Sequence, residues 1–240
     1  MTVGEQRVAL VTGGAVGIGA GISERLAADG FEVIVTGRRA GVAAEMAERI
    51  GGRSLAFDVS DHAATVAAIQ GAGRIDVLVN NAGWDHFDWF TDLPYETMRK
   101  LVAINLEGVL SCTQAALPSM QEHRWGRVIT IGSEAGRIGS KGNAVYAACK
   151  AAAVGFSMSI ARENARFGIT ANVVAPGPIE TPLLREMTPH AIEVVTNQTQ
   201  MKRLGTPEEC AAAVSYLASE AAGYVTGEVL AVSGGMHLGG

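Results

Sequence analysis

Cysteine and histidine are scarce in this sequence and widely spaced. Cys112, Cys149 and Cys210 are odd in number and lack any C-x-x-C spacing, so neither a disulfide framework nor a structural zinc site is indicated. The five histidines are also dispersed, without the H-E-x-x-H spacing that holds a catalytic zinc. We therefore expect reduced cysteines and no catalytic metal.

The sequence also lacks a basic stripe and a long apolar run. Its formal net charge is −5, with the basic residues scattered, which argues against nucleic acid or an anionic membrane as the main partner. No apolar run approaches the ~20 residues that a membrane span needs. Residues 1–7 lead directly into a predicted strand. We expect a cytoplasmic protein.

Internal repeats, low-complexity stretches and linkers are absent as well. The 240 residues are 48% hydrophobic, which is enough to bury a large core. We therefore expect a single domain over residues 1–240.

What the sequence does contain is a regular alternation of strand and helix patterns. A short apolar run over 7–12 is followed by glycines, a helical pattern that ends at Gly30, and a second strand over 32–36. Further strands are predicted at 54–57, 76–80, 127–131, 169–174 and 229–232. Helices are predicted at 40–50, from 60 or 61, at 95–117, at 146–166 and from 207. This alternation predicts a doubly wound, parallel, seven-stranded α/β sheet of the Rossmann type.

Two stretches depart from this alternation. Residues 84–90 carry four aromatics, Trp84, Phe87, Trp89 and Phe90, in a chain with only 5% aromatic residues. Residues 176–204 form a long segment that is rich in proline. Both stretches follow the carboxyl ends of strands, where ligands bind in parallel α/β sheets, so we expect them to form the walls of a substrate pocket. The alternative for each aromatic is a role in anchoring the loop on the core.

A glycine turn follows the first strand. Gly13, Gly17 and Gly19 give a G-x-x-x-G-x-G spacing, which lets the backbone approach a pyrophosphate at the start of the next helix. The alternative is a purely structural turn. Its position between a strand and a helix favours dinucleotide binding.

The end of the second strand bears on the choice of cofactor. A carboxylate there would bind the ribose hydroxyls of NAD, whereas arginine accommodates the 2′-phosphate of NADP. The sequence has Gly37, Arg38 and Arg39, and no acidic residue. NADP is therefore favoured, with NAD as the alternative. Asp58 and Val59, after the third strand, are candidates for contact with the adenine.

Tyr146 and Lys150 are spaced one helical turn apart, so their side chains lie on the same face of a helix. A phenol titrates near pH ~10, and a nearby ammonium favours its ionised form. The pair could therefore serve acid–base catalysis, with Lys150 lowering the pKa of the phenol. The alternative is a surface tyrosine and lysine on an amphipathic helix.

Taken together, these motifs resemble the short-chain dehydrogenase/reductase family along essentially the whole chain. Residues 12–19 resemble its cofactor loop, 80–83 its strand-end motif, and Asn105 its helix asparagine. Ser133, Tyr146 and Lys150 occupy its catalytic positions. The segment with Pro176, Gly177 and Thr181 resembles its nicotinamide-side motif.

The resemblance implies a role for each of these positions. Ser133 would orient a substrate carbonyl, Tyr146 would exchange a proton with its oxygen, and Lys150 would bind the nicotinamide ribose. Asn105 would help to hold a water that links Lys150 to solvent. The remaining cofactor contacts implied are Gly13, Gly17, Ile18, Gly19, Asn81, Ala82, Gly83, Pro176, Gly177, Ile179 and Thr181. The resemblance also implies a homotetramer, and the small residues of helices 95–117 and 146–166 suit them to its interface.

The substrate is less closely defined. Within the family the sequence resembles the 3-oxoacyl-(acyl-carrier-protein) reductases and the 2-hydroxycyclohexanecarboxyl-CoA dehydrogenases, which implies a small-molecule ketone or secondary alcohol, either linked to CoA or to a carrier protein or free. Arg124 matches a carrier-binding position, but Phe167 occupies the other, with Arg166 one residue earlier. The aromatic stretch favours a bulky or cyclic substrate. A dinucleotide-binding sensor without catalysis is the alternative from another class.

Overall fold

The computed structural model describes residues 6–185 and 188–238, and seven of its strands form one parallel sheet. The order across the sheet is β3-β2-β1-β4-β5-β6-β7. The strands are β1 (Val8–Val11), β2 (Glu32–Gly37), β3 (Arg53–Ala56), β4 (Val77–Asn80), β5 (Gly126–Ile131), β6 (Ile169–Pro176) and β7 (Val229–Val232). The order reverses direction between β1 and β4, which makes this the point where a doubly wound sheet opens a crevice. The predicted fold class is confirmed.

Helices cover both faces of the sheet. They are α1 (Gly17–Ala28), α2 (Ala40–Ile50), α3 (His62–Gly71), α4 (Tyr95–Val102), α5 (Gly108–His123), α6 (Ala135–Ile138), α7 (Ala144–Asn164), α8 (Pro182–Arg185), α9 (Pro189–Asn197) and α10 (Pro207–Ala218). Short 3₁₀ turns at Ala165–Phe167 and Glu220–Ala222 complete the elements.

Local sequence explains several of these boundaries. Asp61 caps α3 by accepting a hydrogen bond from the Ala64 N–H at 3.0 Å. Thr206 and Glu209 form a reciprocal capping box at the start of α10, with Pro207 at its first position. The α2 helix ends at Gly51 in the left-handed conformation.

Two apolar clusters hold the helices against the sheet. The first joins β-strand residues to Ile22 and Leu26 of α1 and to Leu217 of α10. The second joins the opposite face to Ile69 of α3 and Met120 of α5. Because both faces are covered, the central strands are buried along their length, as parallel strands generally are.

The helix predicted over 95–117 differs from the observed element. It runs as α4, a π-helical segment at Ala103–Glu107, and α5, which continues to His123. Pro118 does not end it, since the proline lies on an exposed position and removes only one backbone hydrogen bond. The pattern of the segment 176–204 predicts no helix, yet the segment contains α8 and α9, while its residues 186–187 lie outside the described part of the chain.

Two helical stretches are long and apolar enough, by length and composition, to cross a membrane. They are Tyr95–His123 and Ala144–Phe167, with mean hydropathies of 1.2 and 1.4 over their best windows. This corrects the expectation that no apolar run approaches that length. Core helices of soluble proteins pass the same test, and both stretches here pack on the sheet through residues of the second apolar cluster.

Candidate active site

A cleft of about 1710 Å³ lies at the carboxyl edge of the sheet. It is lined by residues that follow each of the strands β1 to β6. The aromatic stretch lines it through Trp84, Phe87 and Trp89, and the proline-rich segment lines it from Pro176 to Pro182. Both stretches therefore form walls of the cleft, as their positions in the sequence predict.

The glycine turn occupies one end of the cleft. Gly13 and Gly17 have φ angles of +62° and +54°, which side chains rarely adopt. A Cβ on Gly19 would lie 2.2 Å from the Gly13 carbonyl oxygen, so only glycine fits there. The turn places the N-terminus of α1 at the cleft, where free N–H groups and the helix dipole favour a phosphate group. These features fit a dinucleotide.

The end of β4 is fixed against this turn by Thr12. The Thr12 Oγ1 accepts hydrogen bonds from the backbone N–H groups of Asn81 and Ala82, both at 2.9 Å. The Asn81 amide donates in return to the Thr12 and Gly13 carbonyls at 2.9 and 3.2 Å. The cofactor loop and the strand-end motif are thus one hydrogen-bonded unit.

Arg38 and Asp58 face each other at the far end of the cleft. Their charged groups are 3.8 Å apart, and the Arg38 side chain is 65% exposed. Partial burial acts to raise the pKa of Asp58, but hydrogen bonds from Ser60 and the charge of Arg38 outweigh it, so the pKa lies below its ordinary value. Gly37 and Val59 also line this end. The structure therefore leaves the Arg38 guanidinium accessible to a ligand.

The opposite end of the cleft holds Ser133, Tyr146 and Lys150. Ser133 follows β5 and lines the cleft together with Tyr146, and its side chain acts to lower the pKa of the Tyr146 phenol. Lys150 is buried one turn along α7, and its Nζ donates to the Ile131 carbonyl oxygen at 2.9 Å. The Nζ lies 5.4 Å from the centre of the Tyr146 ring. The three predicted catalytic side chains are therefore brought together.

The pKa values of this group differ from the sequence expectation. Burial raises the pKa of the Tyr146 phenol, the negative charge of Asp85 adds to the rise, and the Ser133 side chain opposes it. Burial lowers the pKa of Lys150 to about 8, while Cys149 and Asp85 act in the opposite direction. The expected lowering of the phenol pKa by Lys150 is therefore not found, since burial is the largest influence on this group and raises its pKa.

Asn105 lies in the π-helical segment and is fully buried. Its Nδ2 donates to the carbonyl oxygens of Trp84 and Leu101 at 2.7 and 3.0 Å, and its Oδ1 accepts from the Trp84 N–H at 3.3 Å. A Cβ on Gly83 would lie 3.0 Å from Asn105 Oδ1 and 3.7 Å from Lys150 Nζ. Asn105 therefore holds the start of the aromatic stretch beside Lys150.

The segment after β6 faces the glycine turn across the cleft. A Cβ on Gly17 would lie 3.4 Å from the Thr181 Cγ2. Ile179 is buried and pairs with Gly205 through an isolated bridge, which fixes the segment. The predicted cofactor residues Ile18, Pro176 and Gly177 line the same cleft.

The aromatic stretch has two parts. Trp84 stacks on His86 with ring centroids 5.7 Å apart, and the Lys100 Nζ lies 4.0 Å from the Trp84 ring centre. Phe87, Trp89 and Phe90 are instead 58–59% exposed, and Phe90 lies outside the cleft lining. The first part is anchored, whereas Phe87 and Trp89 present apolar surface at the cleft.

Asp85 and Asn143 are among the polar residues of the cleft that sequence reasoning missed. Asp85 directly follows the strand-end motif, and Asn143 lies three residues before Tyr146 at the start of α7. Their closeness in sequence to two recognised motifs was the available signal. Within the described residues, no group of three or more His, Cys, Asp or Glu side chains could hold a metal ion. All three cysteines are free and buried.

Comparison with known proteins agrees with this architecture. Residues 13–237 match a family model described as enoyl-(acyl carrier protein) reductase. The chain is 41% identical to the 3-oxoacyl-(acyl-carrier-protein) reductase FabG of Escherichia coli (strain K12), with 98% of both chains covered. It is 38% identical to the acetoacetyl-CoA reductase of Acinetobacter sp. (strain RA3849), over 98% of this chain and 99% of that one.

A solved structure is also similar. The crystal structure of gox2181 superposes with a TM-score of 0.94 at 34% identity, covering 97% of this chain and 96% of that one. A likeness at this identity and coverage extends over the sheet, the glycine turn and the cleft. The chain therefore belongs to the short-chain dehydrogenase/reductase family of NAD(P)-dependent oxidoreductases.

Proposed function

We propose that this protein is a ketoreductase that prefers NADPH and interconverts a ketone and a secondary alcohol on an oxoacyl thioester or a bulky cyclic substrate. The observation that carries the proposal is that Ser133, Tyr146 and the buried Lys150 line one cleft, with the Lys150 Nζ 5.4 Å from the centre of the Tyr146 ring. Nicotinamide supplies the hydride when it is bound. The protein side chains supply the proton and the orientation of the carbonyl.

Tyr146 is the proton donor in the reductive direction. Its raised pKa keeps the phenol protonated at neutral pH, and Ser133 is placed to bond the same carbonyl oxygen. Lys150, with a pKa of about 8, is mainly cationic at neutral pH and stabilises the phenolate as it forms. In the oxidative direction, Tyr146 would instead accept the proton from the alcohol.

Cofactor residues follow from the cleft. Gly13, Gly17, Ile18 and Gly19 would hold the pyrophosphate, Asp58 and Val59 the adenine, and Arg38 the 2′-phosphate. Asn81, Ala82, Gly83, Lys150, Pro176, Gly177, Ile179 and Thr181 would line the nicotinamide side. The exposed Arg38 guanidinium supports NADP over NAD, since arginine binds phosphate bidentately.

The names of two relatives support a thioester substrate, since one acts on a carrier-linked oxoacyl group and the other on a CoA ester. Within one chain, the positions of Arg124 and Arg166 do not support the binding of a carrier protein at the cleft. They flank Phe167, with their guanidinium carbons 6.0 and 4.8 Å from its ring centre, just before β5 and β6. That is the amino edge of the sheet, opposite the cleft.

We also propose a cytoplasmic homotetramer. The outer face of α7 is exposed and consists largely of small residues, among them Ala148, Ala152 and Gly155, with Met158 44% exposed. Small residues permit close approach of two helices across a two-fold axis. Gly155→Arg should reduce the assembly to smaller species in light scattering, whereas a wild-type monomer at micromolar concentration would contradict the proposal.

The function is tested by incubating the purified protein with NADPH and a panel of ketones while following nicotinamide absorbance. The panel includes 3-oxobutanoyl-CoA, an ester of 3-oxobutanoate that lacks CoA, and cyclohexanone. We expect turnover with at least one, and a kcat lower by ~10²–10⁴-fold in Tyr146→Phe. Cofactor binding without turnover across the panel would favour a non-catalytic dinucleotide-binding protein.

A further inference from the structure

Asp85 and Asn143 lie together in the cleft, next to the groups assigned to proton transfer. Both line the cleft, where burial raises the pKa of the Asp85 carboxyl and the Asn143 side chain acts to lower it. Asn143 is the N-cap residue of α7, three residues before Tyr146. Asp85 lies two residues after Gly83, where a Cβ would be 3.7 Å from the Lys150 Nζ, and its charge acts to raise the pKa of both Tyr146 and Lys150.

The hydrogen bonds of this pair define what it can still bind. A carboxylate only accepts hydrogen bonds, so it is the amide of Asn143 that acts as donor where it lowers the pKa of Asp85. The Asp85 Oδ1 accepts a bond from the His86 N–H at 2.7 Å. Both residues also carry acceptor atoms, the carboxylate oxygens of Asp85 and the Oδ1 of Asn143.

One of these acceptors is buried without a partner. Asn143 is only 4% exposed, and no donor among the described residues reaches its Oδ1. A buried polar atom left unsatisfied typically costs about 1–3 kcal/mol, so such atoms in a cleft indicate a ligand contact. Asp85 and Asn143 both line the cleft, and acceptor groups of this kind suit a hydrogen-bond donor and repel an anion.

We infer that Asp85 and Asn143 form a subsite that binds an O–H or N–H group of the substrate near its reacting carbonyl. The inference rests on the proposed ketone reduction and adds a determinant of specificity to it. A hydroxyl on a cyclic ketone and the amide N–H of a thioester arm are the two sources of such a donor. A free carboxylate at that place would be disfavoured by the charge of Asp85.

Two matched substrate pairs test the subsite. The first is 2-hydroxycyclohexanone against 2-methoxycyclohexanone, and the second is the N-acetylcysteamine thioester of 3-oxobutanoate against its N-methylated amide. In each pair methylation removes the donor and adds one methyl group, so the loss of preference in Asp85→Asn separates the hydrogen bond from the added bulk. We expect kcat/KM to favour the donor member of at least one pair by about tenfold or more, since hydrogen bonds to charged groups are stronger than neutral ones.

The variant Asp85→Asn replaces the charged acceptor by an amide of the same shape and should reduce that preference to about twofold or less. Asp88→Asn is the matched control. Asp88 lies on the same loop but outside the cleft lining, and its Oδ1 accepts from the next backbone N–H at 2.9 Å, as that of Asp85 does. The control should keep the wild-type preference.

Three results would overturn the inference. The wild-type enzyme could show no preference for the donor member of either pair, or Asp88→Asn could lose the preference as Asp85→Asn does. Alternatively, kcat/KM could fall equally for all substrates in Asp85→Asn, which would assign Asp85 to charge balance around Lys150 instead. NADPH binding by fluorescence checks that each variant is folded. Absence of turnover on every ketone would instead refute the proposed function, so the two failures are distinguishable.

Discussion

The two ends of the cleft are built by different means. At the cofactor end, the position is set by backbone: glycines with positive φ, the N-terminus of α1 and the hydrogen bonds between Thr12 and the end of β4. At the substrate end, the surface is set by side chains on loops, and Phe87 and Trp89 are more than half exposed. The cofactor end therefore tolerates little change, whereas the substrate end can vary without loss of the fold.

Lys150 connects the two ends, so its removal should have the largest effect. Lys150→Met keeps the length of the side chain but removes the charge beside Tyr146 and the group assigned to the nicotinamide ribose. We expect kcat/KM to fall by at least about a thousandfold, as the combined loss of acid–base support and of one charge-assisted bond. Steady-state kinetics measure the loss of acid–base support, and NADPH titration measures the loss of cofactor affinity. A variant with unchanged affinity for NADPH would show that Lys150 acts only at the substrate end of the cleft.

The cofactor end can be altered without touching the substrate end. The double variant Gly37→Asp with Arg38→Leu adds a carboxylate near the ribose and removes the attraction for a 2′-phosphate. A Cβ on Gly37 would meet no atom of a non-adjacent residue within 4 Å, so aspartate fits. Wild type should favour NADPH by about ten- to hundredfold, and the variant should favour NADH. Ratios of kcat/KM decide this, and a wild type that already favours NADH would refute the role of Arg38.

The buried ammonium should also be visible in stability. The pKa of Lys150 is about 8 in the fold, against an ordinary value of 10.5, so the unfolded chain binds the proton more strongly between these values. This group therefore makes the fold less stable below pH 8, and its penalty disappears as the pH rises through 10.5.

Lys150→Met lacks that penalty at every pH. Its free energy of unfolding, measured relative to wild type, should therefore fall by about 3 kcal/mol as the pH rises through this window. Urea unfolding at several pH values measures it. A difference that does not change with pH would show that the ammonium is hydrated in the fold.

The smallest effect is expected at the exposed aromatics. Phe87→Ser should raise KM for a bulky apolar ketone a few-fold, leave KM for NADPH unchanged, and alter the free energy of unfolding by no more than about 0.5 kcal/mol. Phe90→Ser, on the same loop but outside the cleft lining, is the control. Equal effects of the two variants on KM would show that the loop acts as a whole.

The same contrast explains what could be predicted from sequence. All seven strands and the glycine turn follow from apolar runs and glycine spacing, because backbone sterics act locally. The π-helical segment around Asn105, the helices α8 and α9, and the pairing of Asp85 with Asn143 depend on contacts between distant segments. The raised pKa of Tyr146 was missed for a related reason: spacing along a helix shows that a lysine is near, but burial is a property of the whole fold.

The central claim is that Tyr146 gives the proton while the cofactor end works independently. The most direct test measures NADPH affinity and kcat in one variant, Tyr146→Phe, which removes only the hydroxyl. We expect kcat to fall by ~10²–10⁴-fold with the dissociation constant for NADPH nearly unchanged. A variant that retained more than about a tenth of the wild-type kcat would contradict the assignment of Tyr146 as proton donor.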